Sequence, residues 1–387
     1  MLTLLLKFSY LNIINIIYFY KFIKMSSPLI PDKSKMEYRY LGNTGLRVSI
    51  FGLGNWINCE DDSQTLDCVK QALLNGINFF DTAEHYGDGL AETTLGKALK
   101  KLNVPREKIV VTTKLMSVGK DPNDMFLSRK HISEGIKNSL KRLQLEYVDI
   151  VYCHRYDMHT PMEEVVTSMN WVIEQGYALY WGTSEWTACQ IMEAFDICDK
   201  LKLIRPVVEQ CQYNMFERNK IENEYRDLFK RYKLGTTIYS PLFCGVLTGK
   251  YIDSMPENCR GNIKNEKNKN KFLNNRYFKN KNEFDQKLNL LKTISEKYNC
   301  TLAQLALGWV IANPDVSCCI LGASKGTQID ENVKALEIYK KLGKEDFIEI
   351  EKILGNTPQG EIDYLTWKEL PSRRNISMNI DYIPKKE

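Results

Sequence analysis

The sequence predicts an α/β fold, a single (β/α)8 TIM barrel preceded by an N-terminal β-hairpin. The chain has 387 residues, the length of one barrel domain with extensions. From residue 37 onward, short β-rich runs alternate with amphipathic helical stretches. A strand–helix unit repeated eight times indicates a closed parallel barrel rather than an open sheet. We expect an extension over 1–36, the barrel over 37–354 and a tail over 355–387, with no second domain.

The predicted strands follow from turn signals and β-rich runs. Asn43-Thr44-Gly45 separates EYRYLG from LRVSIFGLG, which is typical of a hairpin. The eight runs assigned to the barrel are VSIFGLG, NFFDTA near 78, IVVTTK near 109, VDIVYCH near 148, ALYWGTS near 178, PVVEQCQY near 206, GTTIYSPL near 235 and SCCILGAS near 317.

The predicted helices lie between these strands. Apolar residues recur at helical spacing in Ser63–Asn75 and in His131–Leu143, so each should turn one face to the barrel. Thr301–Ala312 is apolar on most faces, which predicts a buried helix.

An open dinucleotide-binding sheet is not predicted. Its fingerprint is GxGxxG between a strand and a helix, and Gly52-Leu53-Gly54 is the nearest match but lacks the third glycine. If this chain binds a dinucleotide, it must do so in another way.

Charge and cysteine usage exclude several kinds of partner. The net charge of +5 arises in residues 260–283, which hold eight Lys/Arg against two Glu, and no nucleic-acid motif accompanies them. We therefore expect no nucleic-acid partner. The eleven cysteines form no CxxC pair, which favours reduced thiols in a cytoplasmic compartment over disulfides or a metal site.

The first 24 residues leave two alternatives open. They are apolar and aromatic, but Lys7, Asn12, Asn15 and Lys21 interrupt them, and they lack a small-residue cleavage site. A second possible start, Met25, follows directly. The segment is either an over-extended start or a membrane anchor or signal.

Four ionisable residues follow successive predicted strands. Asp81 ends the second barrel strand, Tyr86 lies five residues later, Lys114 ends the third strand and His154 ends the fourth. In a barrel the C-terminal strand ends converge on one mouth, where active sites lie. Singly, each residue has an ordinary structural explanation, as a cap, a packing tyrosine, a surface charge or a core histidine. Their conjunction predicts one site.

The chemistry of this cluster fits carbonyl reduction. Hydride addition to a C=O group leaves an alkoxide that needs a proton, and a free tyrosine, with a pKa of ~10, is a poor acid at neutral pH. The ammonium of Lys114 would stabilise the phenolate of Tyr86, and Asp81 would hold the lysine. His154 would hydrogen bond the carbonyl oxygen. His85 is a rival proton donor.

Long motifs in the chain resemble a known family. The segments that carry the likeness are NFFDTAEHYGDGLAE, IVVTTK, EGIKNSLKRLQLEYVDIVYCHRYD, YWGTSEW, EQCQYNMFER, YSPLFCGVLTGKY and LGASKGTQIDEN. They resemble the aldo-keto reductases, and most closely the branch of voltage-gated potassium channel β-subunits with their plant and bacterial relatives. The resemblance runs from Tyr38 to residue 355 and implies reduction of a small aldehyde or ketone by NADPH. It places Asp81, Tyr86, Lys114 and His154 at the family's catalytic positions.

The resemblance also implies an alternative function. The chain could be an auxiliary, redox-sensing subunit of a potassium channel, assembled as a homotetramer on the cytoplasmic side of the channel. Animal channel β-subunits typically carry Asn where this chain has His154, so His154 makes the chain more similar to the catalytically competent relatives.

The resemblance further assigns residues to the cofactor. Ser184, Glu185 and Gln210 would face the nicotinamide carboxamide, and Tyr239 would stack on the ring. A helix that begins near Ser324-Lys325 suits a 2′-phosphate, which favours NADP over NAD. The other implied contacts are Asn55, Trp56, Asp81, Ser240, Pro241, Leu242, Phe243, Cys244, Lys250, Arg260, Gly322, Gln328, Glu331 and Asn332.

Three positions depart from the channel branch. Glu185 stands where channel β-subunits carry Arg, Tyr239 where they usually carry Trp, and the loop after Asn55-Trp56 is shorter. Because the shape of the substrate pocket depends on that loop, the sequence does not predict which carbonyl compound is reduced.

Overall fold

A computed structural model describes residues 28–56, 61–117, 119–257, 259 and 276–360, with two short strands at 362–363 and 368–369. The expectations for residues 1–24 and for Arg260 lie outside this part of the chain. Within it, the predicted fold is confirmed: eight parallel strands close into a barrel, and a two-stranded hairpin precedes them.

The barrel strands coincide with the eight predicted runs. The hairpin consists of β1 (Tyr38–Tyr40) and β2 (Arg47–Ser49). The barrel strands are β3 (Phe51–Gly54), β4 (Phe79–Asp81), β5 (Val110–Leu115), β6 (Val148–Cys153), β7 (Ala178–Ser184), β8 (Val208–Gln212), β9 (Gly235–Tyr239) and β10 (Cys318–Gly322). Each pairs with the next in chain order, and β10 closes the barrel against β3.

Helices surround the barrel. Those of the first half are α1 (Asp62–Leu74), α2 (Leu90–Lys101), α3 (Arg129–Leu143), α4 (Met162–Glu174) and α5 (Ala188–Leu201). Two π-helical turns, Lys220–Glu224 and Leu228–Tyr232, follow β8, and a 3-10 segment, Phe243–Thr248, follows β9. The remaining helices are α6 (Arg276–Lys279), α7 (Lys281–Lys297), α8 (Leu302–Ile311), α9 (Gly326–Val333), α10 (Ala335–Lys341) and α11 (Lys344–Leu354), after which β11 (Ile362–Asp363) pairs with β12 (Lys368–Glu369).

Side-chain capping explains where the three predicted helices begin. The Asp61 carboxylate accepts backbone N–H groups at the start of α1, and Ser128 does the same for α3. Thr301 and Gln304 form a reciprocal capping box at the start of α8. All but one residue of α8 is buried, as its apolar sequence predicted.

The hairpin closes the N-terminal end of the barrel. Leu41 and Val48 are fully buried and pack on the lowest layer of inward-facing side chains, formed by Phe79, Val110, Ile150, Val208 and Cys318. Gly42 permits this approach, because a Cβ there would lie 2.4 Å from the backbone nitrogen of Gly235, and its φ is +58°. The bottom of the barrel is therefore apolar and sealed.

The inward-facing positions become polar toward the C-terminal strand ends. Side chains alternate along a strand, so one residue in two faces the barrel interior. Above the apolar layer these positions hold Asp81, Thr112, Lys114, Tyr152, Gln210 and Thr237, all buried. The fold thus gathers buried polar groups beneath one mouth.

The described ranges lack both a membrane-spanning helix and a cluster of metal ligands. No helix there is both long enough and apolar enough to cross a membrane. No group of three His, Cys, Asp or Glu side chains there is placed to share a metal ion.

Candidate active site

A buried ion pair forms the base of the site. Asp81 is the last residue of β4, and its Oδ2 lies 2.5 Å from Nζ of Lys114 on the neighbouring strand β5. The two side chains are 5% and 1% exposed. The ammonium also donates to the carbonyl oxygen of Thr82 at 2.8 Å. Lys114 is therefore held below the mouth of the barrel, and the Asp81 carboxylate balances its charge.

Tyr86 lies over this ion pair, in the loop between β4 and α2. The ring centroid of Tyr86 is 5.0 Å from Nζ of Lys114. Its backbone N–H closes a turn on the carbonyl of Ala83, and the next three residues, Gly87, Asp88 and Gly89, all have positive φ. Two glycines and an aspartate tolerate that conformation. The sequence GDG therefore turns the chain sharply and leaves Tyr86 half-buried at the mouth.

His154 completes the predicted cluster. It directly follows β6, and its ring centroid is 5.6 Å from that of Tyr86, edge to face. Burial, together with the charges of Lys114, Arg155 and His85, lowers the pKa of His154 to about 2. The imidazole is therefore neutral at physiological pH, and one ring nitrogen carries a hydrogen that can be donated to an oxygen.

Asp81 is the centre of a hydrogen-bond network that crosses the barrel. Its Oδ1 accepts from the hydroxyl of Thr112 at 2.7 Å and from Nε2 of Gln210 at 3.1 Å. Gln210 also approaches the hydroxyl of Thr237 at 3.4 Å, and Thr237 shares a 3.0 Å hydrogen bond with Tyr152. These hydrogen bonds hold the Asp81 carboxylate in place, and the carboxylate in turn holds the ammonium of Lys114.

Ser184, the last residue of β7, pairs with Gln210 in the middle of β8, so the two lie side by side. The amide N–H₂ of Gln210 faces Asp81, so its Oε1 remains as an acceptor for a ligand. Ser184 accepts from Nη1 of Arg155 at 3.1 Å, which leaves its own O–H free to donate. One acceptor and one donor match a primary carboxamide.

Glu185 and Tyr239 interact with each other beside this pair. Burial would raise the pKa of Glu185, but Lys220, whose Nζ is 2.8 Å away, outweighs it and holds the pKa below its usual value. The Tyr239 hydroxyl bonds to the Glu185 carboxylate, and burial, with this neighbour, raises the pKa of Tyr239. Tyr239 therefore stays a neutral phenol with a half-buried ring.

The loop after β9 has an unusual backbone. Ser240, Phe243, Cys244 and Gly245 all have positive φ. The ring of Phe243 is buried against Phe216 and Phe284, so only its backbone could face a ligand. Pro241 is buried and Leu242 half-buried in the same loop. Lys250 is exposed, and a Cβ on Gly245 would lie 3.2 Å from its Nζ.

The loop and helix after β10 have a carboxylate beside them that the sequence did not suggest. Oδ2 of Asp67, on α1, accepts the backbone N–H of Gly326 at 2.7 Å at the start of α9. Gln328 accepts from the backbone and hydroxyl of Ser324. Gly322 is exposed, Glu331 is exposed and pairs with Lys334, and Asn332 is half-buried.

Asn55 and Trp56 differ in what they can offer a ligand. The side-chain amide of Asn55 is buried and uses both N–H groups on the protein, at Ala91 and Thr94. Its Oδ1 also accepts from the hydroxyl of Thr65 at 3.3 Å, and its backbone N–H donates to the carbonyl of Asp81 at 2.9 Å, so the groups that could make its predicted cofactor contact already have protein partners. Trp56 is 44% exposed and lies at the mouth, 6.4 Å from Tyr86 between ring centroids.

Three further residues at or beneath the site were not predicted from the sequence. Arg155, next to His154, reaches Ser184, and its charge at a strand end was an available signal. Glu84 and His131 form a buried pair below the Tyr86 loop at 2.8 Å. Nothing in the sequence links these two, because 47 positions separate them.

The chain is similar to known proteins along most of its length. The family model described as the aldo/keto reductase family matches residues 50–354. A probable voltage-gated potassium channel subunit beta of Oryza sativa subsp. japonica is 46% identical over 333 residues, covering 85% of this chain and 100% of that protein. One from Arabidopsis thaliana is 43% identical over 336 residues, with 85% and 100% covered. The chain therefore belongs to the aldo/keto reductase family, in the branch of the potassium channel β-subunits.

Proposed function

We propose that this aldo/keto reductase family member reduces aldehydes or ketones with NADPH and that Tyr86 is the proton donor. The observation that carries the proposal is the position of the Lys114 ammonium. It is buried, held by Asp81, and 5.0 Å from the ring centroid of Tyr86 at the barrel mouth.

Each member of the cluster then has a separate task. The ammonium stabilises the phenolate that Tyr86 becomes when its proton passes to the substrate oxygen. The neutral imidazole of His154 donates a hydrogen bond to that same oxygen and orients the carbonyl group. Asp81 holds Lys114 and does not contact the substrate. A positioned acid of this kind contributes about 10²–10⁴-fold in rate.

The polar groups around the mouth fit a nicotinamide cofactor. The free acceptor of Gln210 and the free donor of Ser184 complement a carboxamide, and the half-buried phenol of Tyr239 offers a face for stacking. The backbone of residues 240–245 and the start of α9, with Lys325, would hold the phosphates. NADPH bound there supplies the hydride.

NADP is favoured over NAD by the charge of Lys325, with Asp67 as an opposing influence. A 2′-phosphate at the start of α9 would gain from Lys325 and from the helix N-terminus. Asp67 already accepts the N–H of Gly326 there. Binding of NADPH more tightly than NADH in a fluorescence titration supports the assignment, and the reverse order contradicts it.

His85 is the rival proton donor. It is exposed, and its ring centroid lies 6.5 Å from that of His154. Lys114 contacts the ring of Tyr86. A cation stabilises a phenolate, whereas it disfavours a second cation such as a protonated histidine. The position of Lys114 therefore favours Tyr86.

The test compares Tyr86→Phe with His85→Asn in the full-length chain. We expect Tyr86→Phe to lose nearly all turnover of a panel of aldehydes while it retains NADPH binding by fluorescence titration. His85→Asn should keep most turnover. Unchanged turnover in Tyr86→Phe contradicts the mechanism, and a failure of the wild-type chain to bind NADPH contradicts the cofactor assignment.

A second candidate function is that of an auxiliary potassium channel subunit. It rests on the printed names of the Oryza and Arabidopsis relatives, which the chain covers along their whole length. The proposal includes a cytoplasmic homotetramer that contacts a channel α-subunit. Stoichiometric co-purification with a channel, and a tetramer by light scattering, would support it. Absence from membrane fractions would count against it. The two functions are compatible, because each subunit of the proposed tetramer would keep its own active site at the mouth of its barrel.

A further inference from the structure

A second buried ion pair lies directly beneath the Tyr86 loop and has no part in the chemistry described above. Oε1 of Glu84, two residues before Tyr86, is 2.8 Å from Nε2 of His131 on α3. Both side chains are buried. The pair joins the loop that bears the proton donor to a helix of the outer layer.

The contacts of His131 define its protonation state. Nε2 faces the Glu84 carboxylate, and Nδ1 faces the carbonyl oxygen of Asn123 at 3.2 Å. A carboxylate and a carbonyl oxygen both accept hydrogen bonds, so this pairing favours a hydrogen on each ring nitrogen, which is the imidazolium form. Burial acts to lower the pKa of His131, but the hydrogen bond and charge of Glu84 outweigh it, so the pKa is raised above its usual value.

Glu84 also binds the strand that bears Lys114. Its Oε1 accepts the backbone N–H of Met116 at 2.5 Å, and its own N–H donates to the carbonyl of Lys114 at 3.2 Å. A single residue therefore ties the turn at Tyr86 to the end of β5. Loss of the carboxylate would break its bond to Met116, while the backbone bond to Lys114 would remain.

The space for Glu84 depends on a glycine within α3. A Cβ on Gly135 would lie 3.1 Å from Oε2 of Glu84 and 3.7 Å from Nε2 of His131. Glycine inside a helix costs about 1 kcal/mol relative to alanine. Oε2 of Glu84 is buried and has no hydrogen-bond partner among the described residues. The charge of Glu84 is therefore neutralised chiefly through Oε1 and His131.

Other charged groups near His131 leave this pairing intact. Asp124, in the loop after β5, adds to the raised pKa of His131, and its Oδ2 accepts the N–H of Asp121. On the neighbouring helices, Glu92 of α2 pairs with Arg142, and Glu164 of α4 accepts the N–H of Arg129.

We infer that the Glu84–His131 ion pair is a positioning element of the active site, which sets Tyr86 relative to Lys114. The inference rests on the proposed reductase function. The pair touches neither the substrate nor the cofactor. It acts through the backbone of the Tyr86 loop and of β5, so its loss should lower kcat and leave cofactor affinity unchanged.

The kinetic test uses Glu84→Gln, His131→Gln and the control Glu92→Gln. Glu92 is also a buried carboxylate: it pairs with α3 through Arg142 at 2.6 Å and accepts from the hydroxyl of Thr113 on β5, but it lies on α2, outside the Tyr86 loop. We expect kcat of Glu84→Gln and His131→Gln to fall about ten- to a hundredfold, since small displacements of reacting groups cost that much. KM and NADPH affinity should stay unchanged in both, and Glu92→Gln should keep its kcat.

The pH dependence adds a readout that general destabilisation would not produce. Because the pKa of His131 is raised, the pair is intact below that pKa and is lost as pH rises through it. The chain has four histidines, so the His131 ring can be followed by NMR and assigned with His131→Gln. We expect the His131 ring to titrate with a midpoint above 6.5 in the wild-type chain and with a lower midpoint in Glu84→Gln. The kcat of the wild-type chain should decline as pH rises through the His131 midpoint. The kcat of His131→Gln should show no such decline.

The outcomes separate this inference from the proposed function. An active wild-type chain whose kcat falls no further in Glu84→Gln than in Glu92→Gln overturns the positioning role alone. A His131 midpoint below 6.5 also overturns it, because the ring would then be neutral. A wild-type chain that binds NADPH but reduces no carbonyl compound overturns the proposed function and this role together.

Discussion

Removal of one partner of the Asp81–Lys114 ion pair should destabilise the fold far more than removal of both. Asp81→Asn leaves a buried ammonium whose other contact is the carbonyl of Thr82. Lys114→Met leaves a buried carboxylate that accepts from Thr112 and Gln210. An uncompensated buried charge costs about 3–5 kcal/mol, a large part of the about 5–15 kcal/mol by which proteins are stable.

The double variant Asp81→Asn/Lys114→Met removes both charges at once. Its loss in the free energy of unfolding should be smaller than that of either single variant, because no uncompensated buried charge remains. Urea unfolding of the cofactor-free protein, followed by circular dichroism, gives all three values. Lys97→Met is the control: its pairing with Asp62 is also short, at 2.8 Å, but both side chains are more than half exposed. We expect no measurable loss there.

If Asp81→Asn unfolds at the same urea concentration as the wild-type chain, the proposed cost of an unpaired buried charge is refuted. That result would mean that Lys114 carries no charge in the folded state or that water reaches it. In either case the ammonium could not act on Tyr86 as proposed, although the ring contact at 5.0 Å would still be present.

Two further predictions concern the helical layer outside the barrel. Burial raises the pKa of Glu209 to about 8, from an ordinary value of 4.5. Between these two pH values Glu209 is ionised in the unfolded chain but protonated in the folded chain, so the free energy of unfolding falls as pH rises. Glu209→Gln should flatten this dependence and raise the unfolding temperature at pH 8; a melting curve with the wild-type pH dependence would contradict it. Gly96→Ala should cost several kcal/mol in urea unfolding, because its Cβ would lie 2.3 Å from the carbonyl oxygen of Leu143 where α2 crosses α3. Gly45→Ala, with nothing within 4 Å, is the control, and equal losses in the two variants would refute the steric explanation.

The sequence predicts the barrel and the cluster of four ionisable residues at its mouth for the same reason. Each strand is a short β-rich run, and the strand ends of a parallel barrel must meet at one mouth, so Asp81, Lys114 and His154 could be grouped without coordinates. The predicted helix starts lie within two residues of the observed ones, because capping side chains such as Asp61 and Ser128 define where a helix begins.

Contacts between distant segments were beyond prediction. His131 lies on the buried face of α3, where sequence alone gives only its helical spacing, and its partner Glu84 is on another element. Asn55 follows a strand, as site residues do, but its side-chain amide donates hydrogen bonds to two residues of α2. Both results depend on how the helices sit on the barrel, which no local sequence pattern specifies.

Alternation along a strand decides which of two adjacent polar residues reaches the site, and β8 shows this directly. Gln210 faces the interior and donates to Asp81, while Glu209, one residue earlier, faces outward and is buried against Thr183 and Tyr225. A slip of β8 by one residue would bring a second carboxylate beside Asp81. Two carboxylates competing for Lys114 would share a proton, and the lysine would lose its single defined partner. The register of β8 against β7 and β9 is therefore a condition for the chemistry proposed at Tyr86.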